Sequence, residues 1–314
     1  MTPARRSILA AALLVCASVT PVLALEPPPL FWFSRPAGRT GGMAQMPDSR
    51  ILGPNLDGGA VDVYNSVGAL IGHFGNFNKP SGVAVDGSGN IYVCDQFNHR
   101  VQKLSSSFVP LLNIGTPGTA PGQLQYPTNC ALSLDGQKVF VTELLSGRVS
   151  VFSDNGVFLY TFGTQGAGPG QLDHPFGIVL EPLTGDLFVA NQFNQRIDRW
   201  RQDGTYLGSF GQAGSGPDDF NLPVGLGIDA DGNLWVTDQL NNRVKKVSQS
   251  GTTLAVFGSF GSSAGQFYNP WSVLPARDGT IWIGDTTNFR ICFYRYEPVP
   301  TVARTWGALK GEYH

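Results

Sequence analysis

Five polar residues each stand five positions ahead of an arginine: Asp95/Arg100, Glu143/Arg148, Asn191/Arg196, Asp238/Arg243 and Asp285/Arg290. A carboxylate at that distance from a guanidinium supplies either an ion pair or an acid–base couple. Catalysis needs such a couple once, and five copies point to a shared structural task. The acid accepts backbone N–H bonds from the turn that follows it, and the arginine opens the next strand. Glu143, followed by Ser146-Gly147, and Asn191 depart from the pattern and mark the two copies where a site would open. The histidines, His73, His99, His174 and His314, are too scattered to assemble a three-imidazole metal centre. Asp86, Asp135, Asp186, Asp229, Asp231, Asp278 and the loop Pro217-Asp218-Asp219 are calcium candidates, but Asp-Gly steps such as Asp135-Gly136 are ordinary Asx turns. No cofactor is therefore expected, calcium and zinc being the alternatives weighed. No nucleophile elbow, phosphate loop or zincin helix is present.

These pairs sit in a repeat. Pro80, Pro127, Pro175, Pro223 and Pro270 recur every 47 or 48 residues. Each is followed by an aromatic within an apolar triplet: Tyr92, Phe140, Phe188, Trp235 and Trp282. From Pro80 the chain reads as four short strands, at 82–86, 91–94, 101–104 and a run ending at Ile114-Gly115, with Gly/Asn/Asp/Ser turns between them. Four antiparallel strands in such a period make a propeller blade. An apolar–glycine pair ends each fourth strand at Phe74-Gly75, Ile114-Gly115, Phe162-Gly163, Phe210-Gly211, Phe257-Gly258 and Trp306-Gly307. The fold expected is all-β: a six-bladed β-propeller of four-stranded antiparallel blades with a degenerate first blade. Residues 59–75 read as the outer two strands of that first blade. Its inner strands fall in residues 25–58, at Leu30 to Phe33 and Arg50 to Leu52, and the propeller proper is assigned to 59–314. The repeated aromatics are expected to pack between blades.

The segments Asp95…Asn98-His99-Arg100-Val101, Asp238…Asn241-Asn242-Arg243-Val244, Asp285…Asn288-Phe289-Arg290-Ile291 and Asn191…Asn194-Gln195-Arg196-Ile197 resemble the motif of the NHL-repeat family of β-propellers. Blade-joining segments such as Gly168-Pro169-Gly170-Gln171-Leu172 resemble that family too. The resemblance covers residues 59–307 and implies the fold more sharply than the function, since the family is implied to include RNA-binding, protein-binding, sensor and lyase members. The peptidyl-hydroxyglycine lyases among these propellers are implied to hold zinc with three histidines inside the ring, two of which follow the blade-opening proline. Here Ser81, Thr128, Phe176, Val224 and Trp271 occupy those positions.

Residues 1–24 read as a secretory signal peptide, with Arg5-Arg6, an apolar stretch at 8–19 and Val22-Leu23-Ala24 before the cleavage point. The destination expected is secreted or periplasmic. Export by the twin-arginine route is the alternative to ordinary secretion. No stretch is long and apolar enough for a membrane span. Of 21 basic and 23 acidic side chains, the leader carries two basic ones, so the remainder has a net charge of −4. That balance argues against a nucleic-acid partner. Beyond the leader three cysteines remain, Cys94, Cys130 and Cys292, without metal spacing; a Cys94–Cys130 bond and buried free thiols are both open.

In an antiparallel four-stranded blade the second-to-third turn and the connection to the next blade share one face. The turns there carry Gln96-Phe97, Leu144-Leu145, Gln192-Phe193, Gln239-Leu240 and Thr286-Thr287. Amides beside apolar side chains suit recognition of a protein, peptide or glycan. The candidate ligand-binding residues are Gln96, Phe97, His99, Gln192, Phe193 and Gln239. The function expected is a non-catalytic binding module acting as a monomer. The alternative is an extracytoplasmic metal-dependent enzyme, similar to the lyases or to lactonases.

Overall fold

A computed structural model describes residues 30–295. The leader, Trp306-Gly307 and His314 lie outside the described residues.

Each repeat proline opens an innermost strand. Blade 2 runs through Pro80–Val85, Ile91–Asp95, Arg100–Leu104 and Pro110–Ile114. Blade 3 has Pro127–Leu132, Lys138–Glu143, Arg148–Ser153 and Phe158–Phe162. Blade 4 has Pro175–Leu180, Leu187–Asn191, Arg196–Trp200 and Tyr206–Phe210. Blade 5 has Pro223–Ile228, Leu234–Asp238, Arg243–Val247 and Thr253–Phe257. In blade 1 the order is Ala44–Gln45, Ile51–Asn55, Ala60–Tyr64 and Leu70–Phe74. Blade 6 takes Pro270–Pro275, Thr280–Asp285 and Arg290–Arg295 from one end of the chain and Leu30–Pro36 from the other. The fold is a six-bladed β-propeller of four-stranded antiparallel sheets. Among the described residues no helix is long and apolar enough to cross a membrane.

The ring closes differently from the sequence expectation. Leu30–Pro36 is the outermost strand of the last blade, paired antiparallel with Arg290–Arg295 from Leu30↔Arg295 to Pro36↔Arg290. It is not an inner strand of blade 1. That role falls to Ala44–Gln45, whose pairing with Ile51–Asn55 covers only Ala44↔Leu52 and Gln45↔Ile51. The second strand then reaches Pro54, which has no N–H for a ladder. The inner segment continues through Thr40↔Asn55. Thus the segment before blade 1 completes blade 6 and ties the ring's first and last sheets through the chain itself.

Strand alternation distributes side chains between neighbours. In blade 2, Ile91 and Val93 join Leu52 and Val61 of blade 1, while Tyr92 and Cys94 join Cys130 and Val139 of blade 3. Phe140, Phe188, Trp235 and Trp282 likewise point into the junction with the following blade. Six buried apolar clusters result, one per junction, and the last joins Trp282 and Phe293 of blade 6 to Ile51 and Tyr64 of blade 1. Nearer the axis, hydroxyls of one blade donate to carbonyls of the next. Ser81 Oγ reaches Thr128 O at 2.7 Å, Thr142 Oγ1 reaches Phe176 O at 2.7 Å, and Ser272 Oγ reaches Thr40 O at 3.4 Å. On the face of the first-to-second strand turns, Asp86, Asp135, Asp229 and Asp278 accept the N–H two residues ahead, the Asx turns expected. Cys94, Cys130 and Cys292 are buried free thiols.

Trp282 is 1 % exposed at the junction that closes the ring. Trp282→Ala is expected to lower unfolding stability by about 3–5 kcal/mol, read as a lower urea midpoint with an unchanged denaturant slope.

Candidate ligand-binding face

The acid–arginine pairs build this face from below. Asp95, Asp238 and Asp285 are fully buried and bonded alike. In Asp238, Oδ1 accepts Asn221 N at 2.6 Å, while Oδ2 accepts Asn241 Nδ2 at 2.8 Å and Arg243 Nε at 2.6 Å. Asp95 repeats this with Asn78 N, Asn98 and Arg100, and Asp285 with Tyr268 N, Asn288 and Arg290. The free guanidinium ends then bond carbonyls of the connection that enters the same blade. Arg243 takes Ser215, Gly216 and Asp219, and Arg290 takes Ser262, Ser263 and Gln266. Each pair thus fastens turn, strand and loop at one point.

The two departures from the pattern are filled and open no gap. Glu143 bonds Arg148 Nε at 2.7 Å and Gln125 N at 2.8 Å, and also accepts Ser150 Oγ. In blade 4 the acid has moved: Arg196 Nε bonds Asp198 Oδ1 at 2.8 Å, and Asn191 Nδ2 bonds Asp198 Oδ2 at 2.6 Å. Burial pushes the Asp198 carboxyl up, against the pull of Arg196. Sequence spacing missed Asp198; its signal is an acid one alternation beyond the arginine. Asn55 and Asp62 pair the same way in blade 1, at 3.1 Å.

Above these clamps the turns present their apolar side chains to a similar degree. Phe97, Leu145, Phe193 and Leu240 are exposed by 48, 47, 49 and 47 %. Phe97 N bonds Asn78 O at 3.0 Å and Leu240 N bonds Asn221 O at 3.0 Å, docking each turn on the incoming connection. Beside them Gln96, Gln192 and Gln239 are half-buried, and their carboxamides make no hydrogen bond among the described residues.

His99 is engaged in bracing. Its Nδ1 accepts Tyr126 N at 3.1 Å, across the junction into blade 3. Gln195 and Asn242 do the same for Leu222 N and Asn269 N. These bonds hold Tyr126, Leu222 and Asn269, each before a proline, at positive φ of 52°, 55° and 53°. Side-chained residues adopt that region only when their surroundings over-determine it. Sequence reasoning passed over the pre-proline side chains that join the face. The Tyr126 ring meets Phe97 at 5.4 Å and His99 at 4.4 Å. His174 stacks on Phe193 at 4.0 Å, with Asp173 Oδ1 2.7 Å from its Nδ1. The result is a row of aromatic and amide groups on a rigid base, suited to non-covalent recognition.

The NHL repeat family matches residues 77–104. The chain is a six-bladed β-propeller whose second blade carries an NHL repeat. Protein brain tumor of Drosophila melanogaster is 36% identical over 69 residues, 22% of this chain and 7% of that protein; the match spans a small part of its relative's length. A streptogramin B lyase structure has a TM-score of 0.62 at 16% identity, covering 85% of this chain and 97% of that one. A putative gluconolactonase has a TM-score of 0.65 at 15% identity, covering 85% and 93%. At such identity these two likenesses are of fold.

One clamp carries an added strain. Lys245, 1 % exposed, lies under the Asp238/Arg243 pair, its Nζ 3.2 Å from Asp219 O and 3.9 Å from the Phe220 ring centre. Burial, then Arg243, lowers its pKa from 10.5 to about 8. Between pH 8 and 10.5 the unfolded chain keeps a proton that the native chain has released, so this group makes stability rise with pH there; below pH 8 it adds no pH dependence and the charged amine bears its full burial cost. Lys245→Met is expected to flatten that rise and to stabilise the protein at pH 7 by about 1–2 kcal/mol, seen in urea unfolding across pH. Arg290→Met, which strands the buried Asp285 carboxylate, is expected to cost about 3–5 kcal/mol in the same measurement.

Proposed function

We propose that this NHL propeller is a non-catalytic recognition module that binds a protein, peptide or glycan segment across the turn-and-connection face. The observation that carries the reading is the threefold pairing of an unbonded carboxamide with a half-exposed apolar side chain at Gln96-Phe97, Gln192-Phe193 and Gln239-Leu240. A carboxamide donates and accepts, which matches a peptide backbone or sugar hydroxyls. The apolar neighbour supplies contact area, and the clamps beneath keep ordering costs low. The leader read at residues 1–24 supports work outside the cytoplasm, and the acidic balance of the remainder disfavours a phosphate backbone. The second reading, a metal-dependent lyase or lactonase-like hydrolase, is favoured by the fold of its structural neighbours. Stoichiometric zinc or calcium in the purified chain would support it.

The test is selection from a phage-displayed peptide library and a glycan array, followed by titration of the enriched ligand. The double variant Phe97→Asp/Phe193→Asp is expected to bind at least about 30-fold more weakly, as loss of a central anchor costs 2 kcal/mol or more. Unchanged affinity in a variant of normal melting temperature would remove this face from the reading.

A further inference from the structure

The opposite end of the axis is chemically different. A cavity of about 320 Å³ is lined by the last residues of all six innermost segments, among them Val85, Leu132, Leu180, Ile228 and Leu274. The opening prolines of those strands lie at the turn-and-connection face, so the cavity belongs to the other half of the axis. Toward the first face, Phe176 of blade 4 and Trp271 of blade 6 meet edge to face at 5.4 Å in front of blade 5. Leu134, 66 % exposed, stands at the outer mouth.

The lining includes two side-chain amides, Asn129 and Gln45, and no charged side chain. Asn129 is 8 % exposed, and its Oδ1 accepts Cys130 N at 2.8 Å. Gln45 Oε1 accepts Arg277 N at 2.9 Å. Neither amide nitrogen makes a hydrogen bond among the described residues. Asn129 reaches across to Gly42 and Gly82, where a Cβ on either would lie 2.6 Å from its amide group. The backbone is therefore shaped around this side chain. Both amide nitrogens thus belong to cavity-lining side chains and have no protein acceptor among the described residues, so a ligand carbonyl would supply one. With both oxygens committed, the side chains offer donors alone.

We infer that this axial cavity is a second ligand site, for a small uncharged molecule with an apolar body and a carbonyl acceptor (a ketone, ester or amide). The volume lies at the lower end of small-molecule pockets. The absence of a charged lining side chain disfavours carboxylates and phosphates, whose charge would be buried unpaired. The inference is independent of the proposed recognition face.

The probe is prodan, an uncharged naphthyl ketone whose emission shifts to the blue when it leaves water. Titrated against the whole chain it is expected to give a saturable one-to-one shift. Asn129→Asp keeps the acceptor for Cys130 N and removes the donor, and should weaken binding at least about tenfold. Ala84→Phe narrows the cavity and should abolish the shift, whereas Phe97→Asp/Phe193→Asp should leave it unchanged. In the unaltered chain, prodan should slow amide hydrogen exchange at residues 83–85 and 130–132, a readout that does not depend on any variant folding. A non-saturable shift, no change in exchange there, or equal affinity in folded Asn129→Asp would overturn the assignment.

Discussion

A four-stranded sheet of five- and six-residue strands cannot bury either of its faces alone, and everything else in this molecule follows from that constraint. Each blade must lie against two others, so an open row would leave two apolar faces in water, and the row must close. The alternation along the second strands shows the solution residue by residue. Ile91 and Val93 serve one neighbour, and Tyr92 and Cys94 the other, all of them fully buried. Closure then rests on the sixth junction, where Trp282 packs on Tyr64 at 6.1 Å and Leu30–Pro36 pairs with Arg290–Arg295. Because that strand comes from the chain segment preceding blade 1, opening the ring there requires breaking a ladder as well as a cluster.

The polar groups divide the labour by depth. Near the axis, Ser81, Thr128, Thr142, Thr237 and Ser272 link blade to blade through carbonyls, where glycines such as Gly82 and Gly225 allow close approach. Farther out, the acid–arginine clamps link strand, turn and connection within a blade. A buried carboxylate with three donors is costly to form but hard to displace once formed. Its use five times over ties each turn to its own strands and incoming connection. Asp198 shows that the charge, rather than its position in the repeat, is what the site requires: moved seven residues from its usual place, it still reaches Arg196 and, through Asn191, the same turn.

Much of this was legible in the sequence because repetition multiplies weak signals. One proline followed at a distance by an aromatic is ambiguous; five such stretches at a fixed interval determine strand number, blade boundaries and the aromatics that pack between blades. The pairing of Asp95 with Arg100 and its equivalents was readable for the same reason. What escaped was whatever lacked a second copy. Leu30–Pro36 reads as a strand, but nothing local says which sheet it joins, since pairing across the whole chain leaves no trace in neighbouring residues. Likewise, His99 looked like a ligand-facing imidazole because its acceptor role depends on Tyr126 N, 27 positions away in the next blade. Gln195 and Asn242 serve that role with different chemistry, so no shared residue type marks the position.

The division between frame and recognition surface has a consequence for how function changes in such a ring. The clamps draw their energy from backbone carbonyls and N–H groups, which any sequence supplies, and from a few acids and arginines. Phe97, Leu145, Phe193 and Leu240 add half-exposed area and only part of their own burial to stability. Substitution at the tips therefore changes the exposed surface at little cost to the fold, whereas substitution one layer down removes turn, loop and strand together. A low shared identity with lyase and lactonase propellers alongside a common fold is what that separation produces. The frame is retained through its backbone bonds, and the side chains that meet ligands are free to differ.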